Sequence, residues 1–155
     1  MPALPTPPAA LLLDIEGVLH VGPEPLPGAV EALAALRELA GGVRLLTNTT
    51  SKSRRAIVAE LRRPGFDVAE PEVLTPAALA LAYCRDRGHE RVSLIVSDSL
   101  REDLAGLGEA GAGESADAVV LGDVGDGFDA ATLNAAFRQL VDGAELVALQ
   151  HNRCW

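Results

Sequence analysis

At 155 residues and a formal net charge of −9, the chain has room for one domain, or for one and part of a second. Its excess of carboxylates disfavours nucleic acid or an anionic membrane as partner. Hydrophobic residues make up 48% of it, which excludes a disordered chain. A phosphate ligand remains admissible if backbone amides or a bound cation offset the charge.

Residues 1–8, rich in proline and without a basic region, read as a flexible leader and not as a signal peptide. No apolar run approaches the ~20 residues of a membrane-spanning helix. The first strand is expected over 9–14. Leu11, Leu12 and Leu13 run into Asp14, Glu16 follows two positions on, and Gly17 releases the chain. So short an apolar run, closed by glycine, fits a buried strand of a parallel sheet. Open α/β sheets bind ligands at the carboxyl ends of their strands. Strand alternation sends residues two apart to the same side, so Asp14 and Glu16 are expected together at that edge.

Residues 17–27 carry Gly and Pro punctuation and form a loop or small flap. Over 28–40, Val30, Leu33, Leu36 and Leu39 recur at helical spacing, with Glu31, Arg37 and Glu38 opposite. Gly41 and Gly42 stop that helix. A second strand covers 43–46 and closes on Thr47-Asn48-Thr49-Thr50. The next helix covers 51–63, with Ile57, Val58 and Leu61 inward and Pro64-Gly65 as the stop. Strand, helix, strand, helix implies a parallel, right-handed, helix-covered sheet.

A second unit opens at Pro76, a residue suited to the first helical position. It reads as helix 77–87, strand 92–96, helix 100–107, a small-residue loop 108–115, strand 118–121, helix 129–141 capped by Asp129, and strand 146–149. The chain stops at Trp155 without a closing helix, so the expectation is an amino-terminal portion of a longer protein. Cys84 and Cys154 are the only cysteines. They exclude a disulfide framework and fit a reduced, cytoplasmic protein.

Asp14 and Glu16 alone do not choose between nucleophile, metal ligand and helix cap. The Thr47 tract adds a second element. Hydroxyls and free N–H groups at a helix N-terminus form an anion site suited to phosphate, although the same residues cap helices generally. The two tracts end consecutive strands of one βαβ unit, so both can face one crevice. His20, His89 and His151 lack metal-ligand spacing; His20, just after the acidic pair, could touch substrate. Cys84, in a helix with Leu81, reads as a buried thiol. Ser97-Asp98-Ser99 serves equally as a helix cap or a substrate-facing tract. Asp123, Asp126 and Asp129 lack the spacing and closing Glu of an EF-hand.

The stretch Leu11-Leu12-Leu13-Asp14-Ile15-Glu16-Gly17-Val18-Leu19 resembles the first motif of the haloacid dehalogenase-like (HAD) hydrolases. Leu45-Leu46-Thr47-Asn48 resembles their second. The similarity extends through Thr49-Thr50-Ser51-Lys52-Ser53-Arg54, Gly65-Phe66-Asp67-Val68, residues 133–140 and Asp142-Gly143-Ala144. This pattern is similar to the NagD-type branch, subfamily IIA, with its C2 cap. The resemblance implies an α/β fold: part of a Rossmannoid parallel-sheet core at 1–75, then part of an inserted α/β C2 cap at 76–155. It also implies a Mg2+-dependent phosphohydrolase acting on a small phosphorylated metabolite through an aspartyl-phosphate.

Under that resemblance Asp14 is the nucleophile and a Mg2+ ligand. The residue two positions on is usually Asp, the general acid and base. Here it is Glu16, whose backbone carbonyl would bind the metal. Its extra methylene moves the carboxyl by about a bond length, a shift that catalytic geometry tolerates poorly. Thr47 and the Asn48 amide would hold phosphoryl oxygens. The family's third-motif lysine is not found, because Lys52, the sole lysine, directly follows the second motif. Gly122-Asp123 and Asp126 imitate the fourth, acidic motif and leave open a complete, capless phosphatase, but Phe128 and the 133–140 helix match the cap. The 155 residues alone are therefore expected to be inactive or weakly active. The alternative is a truncated or degenerate, non-catalytic HAD-like protein that binds phosphate or another ligand. The expected partner is a small phosphorylated substrate, with no nucleic acid or membrane, and an unfinished sheet edge could pair two copies into a homodimer.

Overall fold

A computed structural model describes residues 8–111 and 113–151. The expected leader, apart from Pro8, and Cys154 lie outside the described residues. Contacts divide the chain into two compact units, Met1–Thr47 with Arg54–Leu74 and Asn48–Ser53 with Thr75–Trp155.

The first unit runs β1 (Leu11–Asp14), β2 (His20–Val21), β3 (Glu24–Pro25), α1 (Ala29–Leu39), β4 (Val43–Leu46), α2 (Arg54–Arg62) and β5 (Val73–Leu74). Strands β1, β4 and β5 form a parallel sheet in that order, with Asp14 opposite Leu46 and Leu46 opposite Leu74. Pairing of β1 begins only at Leu11, whose N–H donates to Gly42 O at 2.9 Å, so the strand is two residues shorter than expected. Gly41 permits the close approach at that point, since a Cβ there would stand 2.6 Å from Ala9 O.

Alternation puts Leu11, Leu13, Val43, Leu45 and Val73 against Ala29 and Leu33 of α1 and Ile57, Val58 and Leu61 of α2, with Phe66 and Val68 closing the cluster. The other face of the sheet is not covered among the described residues: Leu12 is 62% exposed, and Asp14 and Leu46 are exposed too. The first strand is thus buried on one face, where the sequence suggested both. Three consecutive leucines are compatible with either arrangement, because an apolar run does not name what packs on it.

Two other boundaries move. The expected loop at 17–27 contains the β2–β3 hairpin, a small antiparallel flap. Helix α2 starts at Arg54, not at 51, so the Thr47–Thr50 tract does not abut its first turn. Ser53, just before the helix, donates its backbone N–H to Ser99 Oγ at 3.0 Å.

Arg37 of α1 donates to both carboxylate oxygens of Glu72 and, at 2.7 Å, to Asp67 O. The Arg37 hydrogen bond holds the Glu72 carboxyl below the usual glutamate range, outweighing partial burial. The fold therefore favours the ionised form, and this contribution is present at neutral pH and lost as pH falls through the depressed value. Melting temperature should fall as the pH drops below the ordinary glutamate value of about 4.3 and through the depressed one. Glu72→Gln should flatten that slope and cost about 1 kcal/mol at pH 7, read from thermal melts across the range.

The second unit runs α3 (Pro76–Asp86), β6 (Arg91–Ile95), α4 (Asp98–Leu104), β7 (Gly108–Glu109), β8 (Ala118–Leu121), α5 (Ala130–Val141) and β9 (Glu145–Ala148). Its four strands are parallel, in the order β7-β6-β8-β9. Thr75 caps α3 by accepting from Ala78 N at 3.1 Å, with Pro76 in the first helical position. Asp129 caps α5 by accepting from Thr132 N at 2.7 Å. Ala77, Ala80, Cys84, Val92, Leu100, Leu104, Ala118 and Val120 form one core cluster, and Ile95, Val119 and Ala136 another. Burial of Cys84 pushes its thiol up, consistent with an inert packing residue. Among the described residues no helix is long and apolar enough to cross a membrane.

Residues 48–53 belong to this unit through specific bonds. Thr50 Oγ1 donates to Gln150 Oε1 at 3.4 Å, and Ser97 Oγ donates to Ser51 O at 3.0 Å. Ser97 makes no side-chain cap bond to α4, and Ser99 Oγ accepts from Ser53. The Ser97–Ser99 tract therefore ties down the 48–53 segment, a role its local sequence does not announce.

Candidate functional site

Asp14 is the last residue of β1 and is exposed. Its Oδ1 accepts from Ile15 N at 2.8 Å, and the same N–H reaches Leu46 O at 3.1 Å. The other carboxylate oxygen accepts no hydrogen bond among the described residues. The sheet register sets Asp14 opposite Leu46, so Thr47 leaves the adjacent strand one residue beyond. Neighbouring strands are ~4.8 Å apart, which makes Asp14 and Thr47 neighbours at the carboxyl edge of the sheet. The Thr47 amide donates to Leu74 O at 3.2 Å. Asn48 is exposed, follows Thr47 in the chain and clusters with the second unit.

Glu16 departs from the expected arrangement. The strand ends at Asp14, and alternation ends with it. Ile15 turns into the core at 3% exposure. The chain then bends tightly, with Leu19 N donating to Ile15 O at 2.9 Å and Gly17 N to His20 O at 2.8 Å. The Glu16 carboxylate reaches forward to the flap. Its Oε1 accepts from Gly22 N at 3.2 Å, and its Oε2 lies 3.5 Å from His20 Nδ1. His20 Nδ1 is also 2.8 Å from Gly22 O. Gly22 has φ +57°, a conformation that favours glycine. The Asp14 carboxylate stands at the strand end, and the Glu16 carboxylate is bonded to the flap turn. The i,i+4 spacing of Glu16 and His20 before a Gly-Pro turn was the signal available in the sequence.

A divalent cation can be tested against these donors. The unbonded Asp14 oxygen and the Glu16 carbonyl, on which no hydrogen bond ends among the described residues, are hard oxygen ligands. Mg2+ is commonly held by one or two carboxylates, with water and phosphate oxygens completing its shell, so the donor set fits it. Among the described residues no cluster of three or more His, Cys, Asp or Glu could hold a metal, so the chain's share of the shell is a minimal one.

Asp123 and Asp129 have local roles: Asp123 Oδ1 accepts from Gly125 N at 2.8 Å, and Asp129 caps α5. Both lie in the second unit, whereas Asp14 lies in the first. His89, at 2.9 Å, and Arg87, at 3.4 Å, join Tyr83 in holding the Glu145 carboxylate, and the Tyr83 bond, followed by that of His89, lowers its pKa.

The sequence model of the haloacid dehalogenase-like hydrolases matches residues 11–110. Over 144 residues the chain is 38% identical to haloacid dehalogenase-like hydrolase domain-containing protein 2 of Rattus norvegicus, covering 93% of this chain and 54% of that protein. A p-nitrophenyl phosphatase from Archaeoglobus fulgidus superposes with a TM-score of 0.84 at 26% identity, over 95% of this chain and 57% of that one. A glycerol phosphate phosphatase from Mycobacterium tuberculosis in complex with magnesium gives a TM-score of 0.79 at 27% identity, over 93% and 44%. The chain spans about half the length of the curated relatives it matches. With the family match starting on the first residue of β1 and taking in both the Asp14 strand end and the Thr47 tract, the chain belongs to the haloacid dehalogenase-like hydrolases.

Proposed function

We propose that this chain carries the nucleophile of a Mg2+-dependent phosphohydrolase that cleaves a small phosphorylated metabolite. The observation that carries the reading is Asp14: an exposed carboxylate at a strand end, with one oxygen unbonded among the described residues and Thr47 at the end of the adjacent strand. A carboxylate can act as a covalent nucleophile. An Asp14 oxygen attacks phosphorus, the P–O bond to the leaving alcohol breaks, and the departing oxygen takes a proton from the Glu16 carboxyl. A water then attacks the aspartyl-phosphate, its proton passes to Glu16, and orthophosphate leaves with the Asp14 carboxylate restored. The Thr47 hydroxyl and the Asn48 amide hold the phosphoryl oxygens. Mg2+ bound by the Asp14 carboxylate and the Glu16 carbonyl would offset the repulsion between a carboxylate and an anionic ester. Names among the structural relatives, a p-nitrophenyl phosphatase and a magnesium-bound glycerol phosphate phosphatase, support the same reading. The buried thiol of Cys84 supports a reducing, cytoplasmic setting.

Turnover of p-nitrophenyl phosphate by the full natural chain tests the proposal. Chelation should abolish it and added Mg2+ restore it, and turnover that survives chelation would contradict the metal requirement. Thr47→Val should raise KM about tenfold, the loss of one hydrogen bond to a charged group, with a smaller change in kcat. The tethering of Glu16 to the flap favours a second reading, a ligand-binding protein without turnover. It would be supported by phosphate binding in the absence of hydrolysis.

A further inference from the structure

The flap residue His20 has no role in the steps above, yet its ring is the more buried partner of the residue that departs from the family's pattern. Its side chain is 18% exposed, against 66% for Glu16. The backbone of His20 is fixed from several sides: His20 O accepts from Gly17 N at 2.8 Å, His20 pairs with Pro25 across the hairpin, and Leu26 N closes on Leu19 O at 2.9 Å. The 2.8 Å contact of Nδ1 with Gly22 O assigns the proton, because a carbonyl only accepts. Nδ1 therefore donates to Gly22 O. Gly22, held through its carbonyl by His20, donates its amide to Glu16 Oε1 at 3.2 Å, and Glu16 Oε2 lies 3.5 Å from Nδ1. A glutamate side chain left free loses this definition to rotamer entropy, and a proton donor must come within ~2.6–3.2 Å of its target.

We propose that His20 is a positioning residue that, with the Gly22 amide, fixes the Glu16 carboxyl on the flap, so that the flap and not the strand end presents the proton donor to the leaving group. This rests on the phosphohydrolase reading. It explains how a side chain one methylene too long is accommodated: the extra length spans to the hairpin, and two flap groups restrain the added torsion.

The test compares an alkyl phosphate, glycerol phosphate, with p-nitrophenyl phosphate in the full natural chain. An alkoxide needs a proton to leave; a nitrophenolate needs it far less. His20→Ala should lower the ratio of kcat for glycerol phosphate to kcat for p-nitrophenyl phosphate about tenfold, a fraction of the ~10²–10⁴ that a positioned proton donor contributes. His20→Asn, whose amide N–H stands near the place of Nδ1, should recover most of the ratio. A readout independent of turnover is proton–nitrogen NMR. The His20 ring should carry a proton on Nδ1, and the Gly22 amide proton should move upfield in His20→Ala. An unchanged kcat ratio, an equal loss on both esters, or a ring with no proton on Nδ1 overturns the proposal. A wild-type chain that hydrolyses neither ester contradicts the phosphohydrolase reading, and the Nδ1 proton and the Gly22 shift still judge the His20–Glu16 contact.

Discussion

Asp14→Asn should lower p-nitrophenyl phosphate turnover about 10³-fold or more, with the fold intact. The amide is neutral and a poor nucleophile, so the attack on phosphorus has no agent. Structurally the change is mild. Asp14 is exposed, and an asparagine oxygen can still accept the Ile15 N–H that Asp14 Oδ1 accepts now. Melting temperature should therefore stay within a few degrees of wild type, which separates a chemical defect from misfolding. Residual turnover within tenfold of wild type would place the nucleophile elsewhere.

The second large effect is expected at Glu16. Glu16→Ala removes the proton donor and the flap contact together. With glycerol phosphate, kcat should drop by about 10²–10⁴, the range for a positioned acid–base group. With p-nitrophenyl phosphate the loss should be much smaller, because the phenolate departs without help. Steady-state kinetics on both esters checks this, and equal losses would mean that Glu16 matters for the shape of the turn and not for proton transfer. His20→Ala leaves the carboxyl in place but unrestrained, so its loss should be the lesser of the two.

The legible parts of this chain are those set by local pattern. Leu11–Asp14 and Val43–Leu46 announce themselves as short apolar runs closed by polar residues, and their parallel register brings Asp14 and Thr47 to one edge as expected. The Asp129 cap follows from a side-chain oxygen three residues before an open N–H, and Pro76 takes the first position of α3 as expected. What was not legible depends on partners far away in sequence. Helix α2 starts at Arg54, and residues 48–53 are instead bonded to distant Ser97, Ser99 and Gln150, which nothing in the local sequence shows. Val73–Leu74 is too short to read as a strand until it pairs with β4. Leu12 looks like core and is 62% exposed, since alternation fixes which residues share a face but not whether the face is covered. The commitment of Glu16 to Gly22 exists only once the hairpin folds back.

That division bears on function. Asp14, the proposed nucleophile, belongs to the part of the site written in local pattern. Glu16, the proposed proton donor, belongs to the part created by tertiary contact. A glutamate anchored on a flap moves with the flap, so leaving-group protonation should depend on the hairpin's position in a way that attack on phosphorus does not.

The central claim is that Asp14 becomes covalently phosphorylated, and the most direct measurement is to catch it. The full natural chain, mixed with Mg2+ and p-nitrophenyl phosphate and quenched in acid during turnover, should yield one phosphoryl group on the peptide containing Asp14, and Asp14→Asn should yield none. Turnover without any phosphorylated peptide, or with the phosphoryl group on another residue, would contradict the account.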